Sequence, residues 1–418
     1  MISNDTIMVY DRGGYLFAAQ VLGEKAKKVY YCMPDTRPYP ETHLAQIGCD
    51  LPEVERISSD PRSKKFWKIL DKCDWVAFFD VYDADFQEHL LKEKPVFGCL
   101  GSSKMELERD YFLELLKELN LPVPKTHRSH GVTEMLDYLK DVKDIRYIKG
   151  SMRGDFETKK FKSLLQIQPW ANELKGHLGE MSEEIDILIQ SEIKAVCEVG
   201  SDSFNLNGVF SGKPLIAYEI KDKGLIGKVM DDYPEIIDKV LEKIAPTFKK
   251  LGCQGNFSNE FRIIEDGKAY FTDSTNRVPK PPGHSMCRVY SNWAESVRSL
   301  AHGEMPKLKP VKKFVAEYIL HSDDNIKTDL YVTFPKDIKD NVMLINHTKE
   351  GDGYYCIPNG NDGYFGGVFG LGDTLKEAID NCKDVMGEID ADGLDYEPSI
   401  FDEAQEQIEA GEKYGIRF

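Results

Sequence analysis

Two acidic residues, Glu260 and Asp273, stand on either side of the short run Glu265-Asp266-Gly267-Lys268. Strand-forming residues flank that turn, so the pattern predicts a β-hairpin. Pairing across it sets the two carboxylates side by side on one face. Such neighbours repel unless a cation lies between them, and hard oxygen donors suit Mg2+ (or Mn2+) held together with nucleotide phosphates. The plainer alternative is an exposed hairpin with unrelated acidic residues. A polar oxygen in Ser274-Thr275-Asn276 can complete a metal shell. Arg277 follows, with a charge suited to steadying a transferring phosphoryl group.

A second set lies upstream. Tyr147-Ile148-Lys149 predicts a strand ending in a lysine, followed by the small-residue loop Gly150-Ser151-Met152-Arg153-Gly154. A lysine so placed can hold α- and β-phosphate oxygens while loop N–H groups close over the γ-phosphate. An ordinary surface hairpin would look similar. The apolar run Ile187-Leu188-Ile189 leads into Gln190-Ser191-Glu192-Ile193, a hinge whose backbone can face an adenine edge. Glu198 can then accept both ribose hydroxyls, or stand solvated in a hairpin. Near the N-terminus, Asp11-Arg12-Gly13-Gly14 forms a turn able to aim N–H groups at an anion.

The elements that must position these residues follow from periodicity. Strands are predicted at 7–10, 28–32, 75–79 and 95–98, with helices at 15–24, 64–71 and 84–92 between them. That alternation predicts βαβ units on a parallel sheet. An amphipathic helix is expected over 104–119, capped by Gly101-Ser102-Ser103 and stopped at Asn120-Leu121-Pro122-Val123-Pro124. Paired strands dominate up to about 280, interrupted by a helix at 232–251. After a Lys/Pro linker at 307–313 comes a third α/β unit, with a glycine-rich hairpin region at 351–372 and a helix at 374–387. The expected fold class combines α/β and α+β, with units at 1–102, 103–305 and 306–418. Residues 124–192 form the smaller lobe of the middle unit.

At 418 residues with 41% hydrophobic content, the chain can fill several cores, leaving only its last turn or two resembling disorder. No apolar run approaches the length of a membrane span, and no secretory leader is evident, so the cytoplasm is the expected compartment. Nine cysteines, an odd number without CxxC pairs, argue against a disulfide framework or a zinc site. Most are expected to be buried, with Cys253 and Cys287 the candidates for reactivity. A net charge of −17 argues against nucleic acid as a partner.

Lysine-loop, adenine hinge, ribose glutamate, then paired carboxylates around a hairpin: this order resembles the ATP-grasp superfamily. Within it the chain is similar to the phosphoribosylamine–glycine ligase family in length and layout. Gly13-Gly14, Gly101-Ser102-Ser103-Lys104, Leu121-Pro122-Val123-Pro124 and Leu371-Gly372-Asp373-Thr374 each match a stretch of that family. The resemblance implies a parallel-sheet N-terminal domain, a two-lobed ATP-grasp domain and a small C-terminal α/β domain. It implies ATP and Mg2+ as cofactors, with Lys149 and Arg109 as the phosphate-binding cations. Gly150, Ser151, Arg153 and Gly154 would form the covering loop. Gln190, Ser191 and Ile193 would border adenine, and Glu198 the ribose. Glu260 and Asp273 would hold the metal, with Thr275 favoured as third ligand by spacing and Asn276 by residue type. Arg277 would act at the acyl phosphate, and Lys221 would be a second phosphate contact.

The implied activity is ATP-dependent ligation of a small-molecule carboxylate to an amine through an acyl phosphate. One substrate could carry a phosphate, and the protein would be a monomer or homodimer. Two stretches depart from the family. Arg277 leads into Val278-Pro279-Lys280-Pro281-Pro282-Gly283-His284 in place of Arg-Phe-Gly-Asp-Pro-Glu, and the Gly-rich segment before the metal site shrinks to 221–228. Both shape the acceptor pocket, so a ligase with other substrates fits better than the purine enzyme proper. His284 is a candidate for orienting substrate. The rivals are the purine-pathway ligase itself, a kinase stopping at the acyl phosphate, and a nucleotide-binding protein without turnover.

Overall fold

Five short parallel strands open the chain: β1 (Thr6–Tyr10), β2 (Lys28–Cys32), β3 (Glu55–Ile57), β4 (Trp75–Ala77) and β5 (Val96–Phe97). Their order is β3-β2-β1-β4-β5. The computed structural model describes residues 1–34, 41–154, 156, 158–280, 283–358 and 363–418. Both faces of this sheet are covered, as its unbroken apolar strands require. Helix α1 (Leu16–Gly23) packs with Ile7 and Val9, while α2 (Lys64–Leu70) and α3 (Ala84–Leu90) pack with Met8 and Tyr10. Strand β3 was not expected from periodicity, since only one of its three residues is buried.

The helix expected over 104–119 is two helices, α4 (Ser103–Leu107) and α5 (Arg109–Glu118). Glu108 between them is extended (φ −106°, ψ 90°) and bridges to Met152. Arg109 N donates to Ser151 O at 2.8 Å. The break therefore has a cause: the chain leaves helical geometry to hydrogen-bond the loop after Lys149.

A four-stranded antiparallel sheet follows, in the order β6-β9-β7-β8: β6 (Thr126–His130), β7 (Arg146–Gly150), β8 (Lys159–Phe161) and β9 (Asp186–Ser191). Helices α6 (Gly131–Leu139) and α7 (Leu164–Leu178) share its small core through Val132, Met135, Ile167 and Ala171.

The largest element is a ten-stranded sheet. It contains β10 (Ala195–Leu206), β11 (Val209–Phe210), β12 (Leu215–Ile220), β13 (Gly224–Val229), β14 (Gln254–Ile264), β15 (Ala269–Thr275) and β16 (Phe314–Ser322). Helix α8 (Glu235–Leu251) begins just after Pro234, three residues later than expected, and lays Ile237, Leu241, Ile244 and Phe248 against one face. Strand β13 pairs directly with β16, so hydrogen bonding passes from the middle of the chain into its last third without a gap.

The 351–372 region is not a hairpin. Gly353–Cys356 pairs with Leu330–Thr333 and His347–Glu350 in a separate small sheet, whereas Tyr364–Gly372 joins the large sheet beside β16. Residues 359–362 of that expectation lie outside the described residues. The glycines serve close packing: a Cβ on Gly370 would meet Cys382 N at 2.2 Å and Ala378 O at 2.4 Å, both on the helix Leu375–Gly387. Gly370→Ala is therefore expected to push helix and strand apart, costing about 1–3 kcal/mol, the usual range for overpacking. Urea denaturation would read the loss. The C-terminal segment resembles no disordered tail, because Ile400–Glu412 is helical and Ile416 is fully buried. Among the described residues no helix is long and apolar enough to cross a membrane.

Candidate functional site

The hairpin of β14 and β15 places Glu260 opposite Asp273. A register shift after Glu260 leaves Thr272 as the extra residue, and its Oγ1 donates to Glu260 Oε1 at 2.6 Å. On the other face Phe261 stacks on Phe271 with centroids 5.0 Å apart, inside the core. An apolar underside thus fixes a polar upper face. Ser258 pairs with Thr275, so Thr275 shares the face of Glu260 and Asp273. Asn276 does not: it is 1% exposed, and its amide donates to Ser102 O at 3.0 Å and Ser274 Oγ at 3.2 Å. It follows the end of the strand, with its amide nitrogen committed to Ser102 and Ser274 and its Oδ1 buried without a hydrogen-bond partner among the described residues.

Other carboxylates crowd the same face. Burial, Glu198 and Asp273 push the Glu260 carboxyl above its ordinary range, against the pull of Arg262 and Thr272. Glu219, on β12, was not anticipated by sequence. It keeps access to water, but burial in the cleft wall followed by Glu260, Asp202, Glu198 and Asp222 raises its carboxyl as well. Arg262 Nε lies 2.9 Å from Glu198 Oε2 and 3.5 Å from Glu260 Oε1. Glu198 therefore reaches the cleft already engaged by a guanidinium, and any ribose hydroxyl would share it. Among the described residues no three His, Cys, Asp or Glu side chains form a ready metal cage. The paired carboxylates and Thr275 do offer hard oxygens along one edge, which fits a Mg2+ ion completed by phosphate oxygens and water.

Asp202, on β10, is buried with one carboxyl oxygen lacking a hydrogen-bond partner among the described residues. Burial pushes its pKa up to about 7. The folded state therefore holds this proton more tightly than the unfolded chain. Its stabilisation is complete at acid pH and is lost as pH climbs from about 4 through about 7. Asp202→Asn removes that titration, so melting curves should show the variant gaining on the parent between pH 5 and pH 8.

Lys149 enters from the small sheet, on β7. Burial depresses its pKa; Asp273 and Glu260 raise it, and Arg109 and Arg262 lower it further. Its ammonium thus lies in the field of both acidic residues of the hairpin. Arg109 instead grips the loop itself, with Nη1 donating to Gly150 O at 3.0 Å and Met152 O at 3.3 Å. Ser151 N donates to Asp186 O at 2.9 Å and Arg153 N to Leu107 O at 2.8 Å. Gly154 has φ +97° and open space where a side chain would begin.

The hinge lies at the end of β9. Gln190 is buried and donates to Thr126 Oγ1 at 3.4 Å; Ser191 N is satisfied by Lys125 O at 2.9 Å. Ile193 O accepts from Ala195 N at 2.9 Å. Lys221 stands exposed in the turn after β12.

Arg277 follows β15 and shares the Glu106 carboxylate with Arg153 of the loop after Lys149. Burial opposes its charge, but Tyr15, Glu106 and Asp80 together outweigh that and hold the guanidinium ionised. Nε donates to Glu106 Oε1 at 2.9 Å and Nη1 to Tyr15 Oη at 3.1 Å. Nearby, the Asp11–Gly14 turn is built around a buried carboxylate: Asp11 accepts from Tyr31 Oη at 2.6 Å and Tyr15 N at 3.0 Å. Gly13 and Gly14 take φ +101° and +121°. Lys280 Nζ sits 4.7 Å from the Tyr15 ring centre, and a Cβ on Gly14 would lie 2.6 Å from it. This cationic corner borders Arg277. Pro281 and Pro282 lie outside the described residues.

Two candidates fall away. His284 is 0% exposed and held by Glu317 at 2.9 Å and Tyr364 Oη at 2.9 Å, a place in the interior. Cys253 and Cys287 are buried, and burial raises both thiols above their ordinary range. They stay protonated and unreactive.

A small antiparallel sheet carrying Lys149, a larger sheet carrying Glu260 and Asp273, and a parallel sheet ahead of both make up an ATP-grasp fold. No family model and no curated protein sequence matches the chain. Solved structures do. Phosphoribosylamine–glycine ligase from Thermotoga maritima is similar over 94% of this chain and 99% of its own, with 13% identity and a TM-score of 0.71. The biotin carboxylase domain of 2-oxoglutarate carboxylase from Hydrogenobacter thermophilus, solved with MgADP, ADP and bicarbonate, is similar over 94% and 91%. Its identity is 13% and its TM-score 0.66. L-amino acid ligase from Bacillus licheniformis is similar over 95% and 100%, with 14% identity and a TM-score of 0.62.

Proposed function

We propose that this protein is an ATP-dependent carboxylate–amine ligase that works through an acyl phosphate. The observation that supports it most is the approach of Lys149, from the small sheet, to Glu260 and Asp273 on the large one. That gap, acidic on one side and basic on the other, suits a Mg2+–triphosphate. The named activities of the similar structures agree: glycine ligation in one, amino-acid ligation in another.

Bound Mg2+ would screen the phosphate charges. Lys149 would hold α- and β-phosphate oxygens, and the N–H groups of the 150–154 loop would face the γ-phosphate. A carboxylate oxygen of the substrate attacks the γ-phosphorus and ADP leaves, giving the acyl phosphate. The amine then attacks the carbonyl carbon; phosphate departs, the nitrogen loses a proton, and an amide remains. Arg277 steadies the carbonyl and phosphate oxygens in that second step. Lys280 and the Gly13–Gly14 turn beside it suit an anionic group on a substrate, including a phosphate.

The test is ADP release from MgATP with a panel of carboxylates, using hydroxylamine as a general amine and scoring hydroxamate. Glycine with phosphoribosylamine forms one arm. Hydroxamate with some carboxylate, and an amide when an ordinary amine replaces hydroxylamine, supports the reading; hydroxamate without any amide points to a kinase that stops at the acyl phosphate. MgATP binding without ADP release from any pair overturns it in favour of a nucleotide-binding protein.

A further inference from the structure

Glu106 is a carboxylate that no feature of the sequence singled out. It lies on α4, and its side chain is 0% exposed. Isolated, a buried carboxylate of this kind would be costly. Three donors converge on it: Arg277 Nε at 2.9 Å and Arg153 Nη1 at 2.9 Å share Oε1, and Asn276 N reaches Oε2 at 2.8 Å. Arg153 belongs to the loop after Lys149, and the same Nη1 lies 3.7 Å from Asp273 Oδ1. One oxygen therefore joins the loop after Lys149 to Arg277, at the end of the metal-face hairpin.

Resting on the ligase reading above, we propose that Glu106 is a positioning residue that couples closure of the 150–154 loop to the orientation of Arg277. Two guanidinium groups on one carboxylate leave a surplus positive charge. Asp273 faces it on the Arg153 side, and Asp80 acts on Arg277 from the other. With triphosphate in the cleft, Arg153 stays on Glu106 and keeps the loop down. Arg277 is held by Glu106 and Tyr15 in the same act, so the acyl-transfer side is complete only when the nucleotide side is covered. Backbone anchoring of the break at Glu108, beside Arg109, keeps α4 in place as the shared post.

Glu106→Gln keeps the shape and an acceptor but removes the charge. Its kcat for ADP release should fall about 100-fold, the scale of a misplaced catalytic group. Its affinity for MgATP should stay within about threefold, since Lys149 and the metal carboxylates are untouched. Because Arg153 acts through Glu106, the double variant Glu106→Gln/Arg153→Gln should be no slower than Glu106→Gln alone. Additive losses, or a kcat within threefold of the parent, would overturn the coupling. Should Glu106→Gln fail to fold, Glu106→Asp, which keeps the charge but shortens the reach, takes its place under the same criteria. A second readout needs no turnover: MgATP should slow hydrogen exchange at residues 150–154 in the parent and not in the variant. Equal protection in both would overturn the proposal even if no substrate pair is ever ligated. A parent that binds MgATP and shows loop protection without ADP release would instead count against the ligase reading alone.

Discussion

Replacing Glu260 with Gln is expected to slow ADP release about 1000-fold, or about 4 kcal/mol of barrier, the scale on which a catalytic metal contributes. Asp273→Asn should do nearly the same. The double variant should be little worse than either, since the pair acts as one unit. The fold should survive, because burial and its acidic neighbours already disfavour the Glu260 charge. Steady-state rates across a Mg2+ titration provide the check. A Glu260→Gln enzyme within threefold of the parent would remove the metal role from this hairpin.

Lys149→Met probes the facing lobe with the opposite charge. We expect kcat/KM for ATP to drop about 100-fold or more, because the ammonium would meet phosphate charge from a fixed, largely buried position. Stability should move the other way. Burial disfavours the Lys149 charge by more than Asp273 and Glu260 favour it, with Arg109 and Arg262 repelling it as well. A methionine of similar length should hold or raise Tm while activity collapses. Loss of both together would mean that Lys149 serves the fold and not the nucleotide.

How much of this was legible beforehand differed by residue. Alternating apolar runs marked four of the five parallel strands, because strands buried on both faces carry an unbroken hydrophobic signal; β3, with one buried residue, carries none. The turn at Asp266-Gly267 pointed to the hairpin, and pairing then set Glu260 against Asp273. Glu106 was invisible, since a single glutamate in a helix has no spacing partner and its three donors come from 153, 276 and 277. The break at Glu108 was hidden for a related reason: helical periodicity is local, while the bond that ends it comes from Met152. Glycines at 351–372 suggested turns, yet Gly370 is needed where a helix lies almost on the strand backbone. Composition cannot separate those two uses of glycine.

The unbroken pairing of β13 with β16 bears on how the chain is made. During synthesis the hairpin of β12 and β13 emerges long before residues 314–322, and until they arrive one margin of it offers unpaired N–H and C=O groups to any passing strand. Nascent chains stalled before residue 314 should therefore be sticky and dependent on chaperones, and solubility should return only once both β16 and its far neighbour Tyr364–Gly372 have left the ribosome.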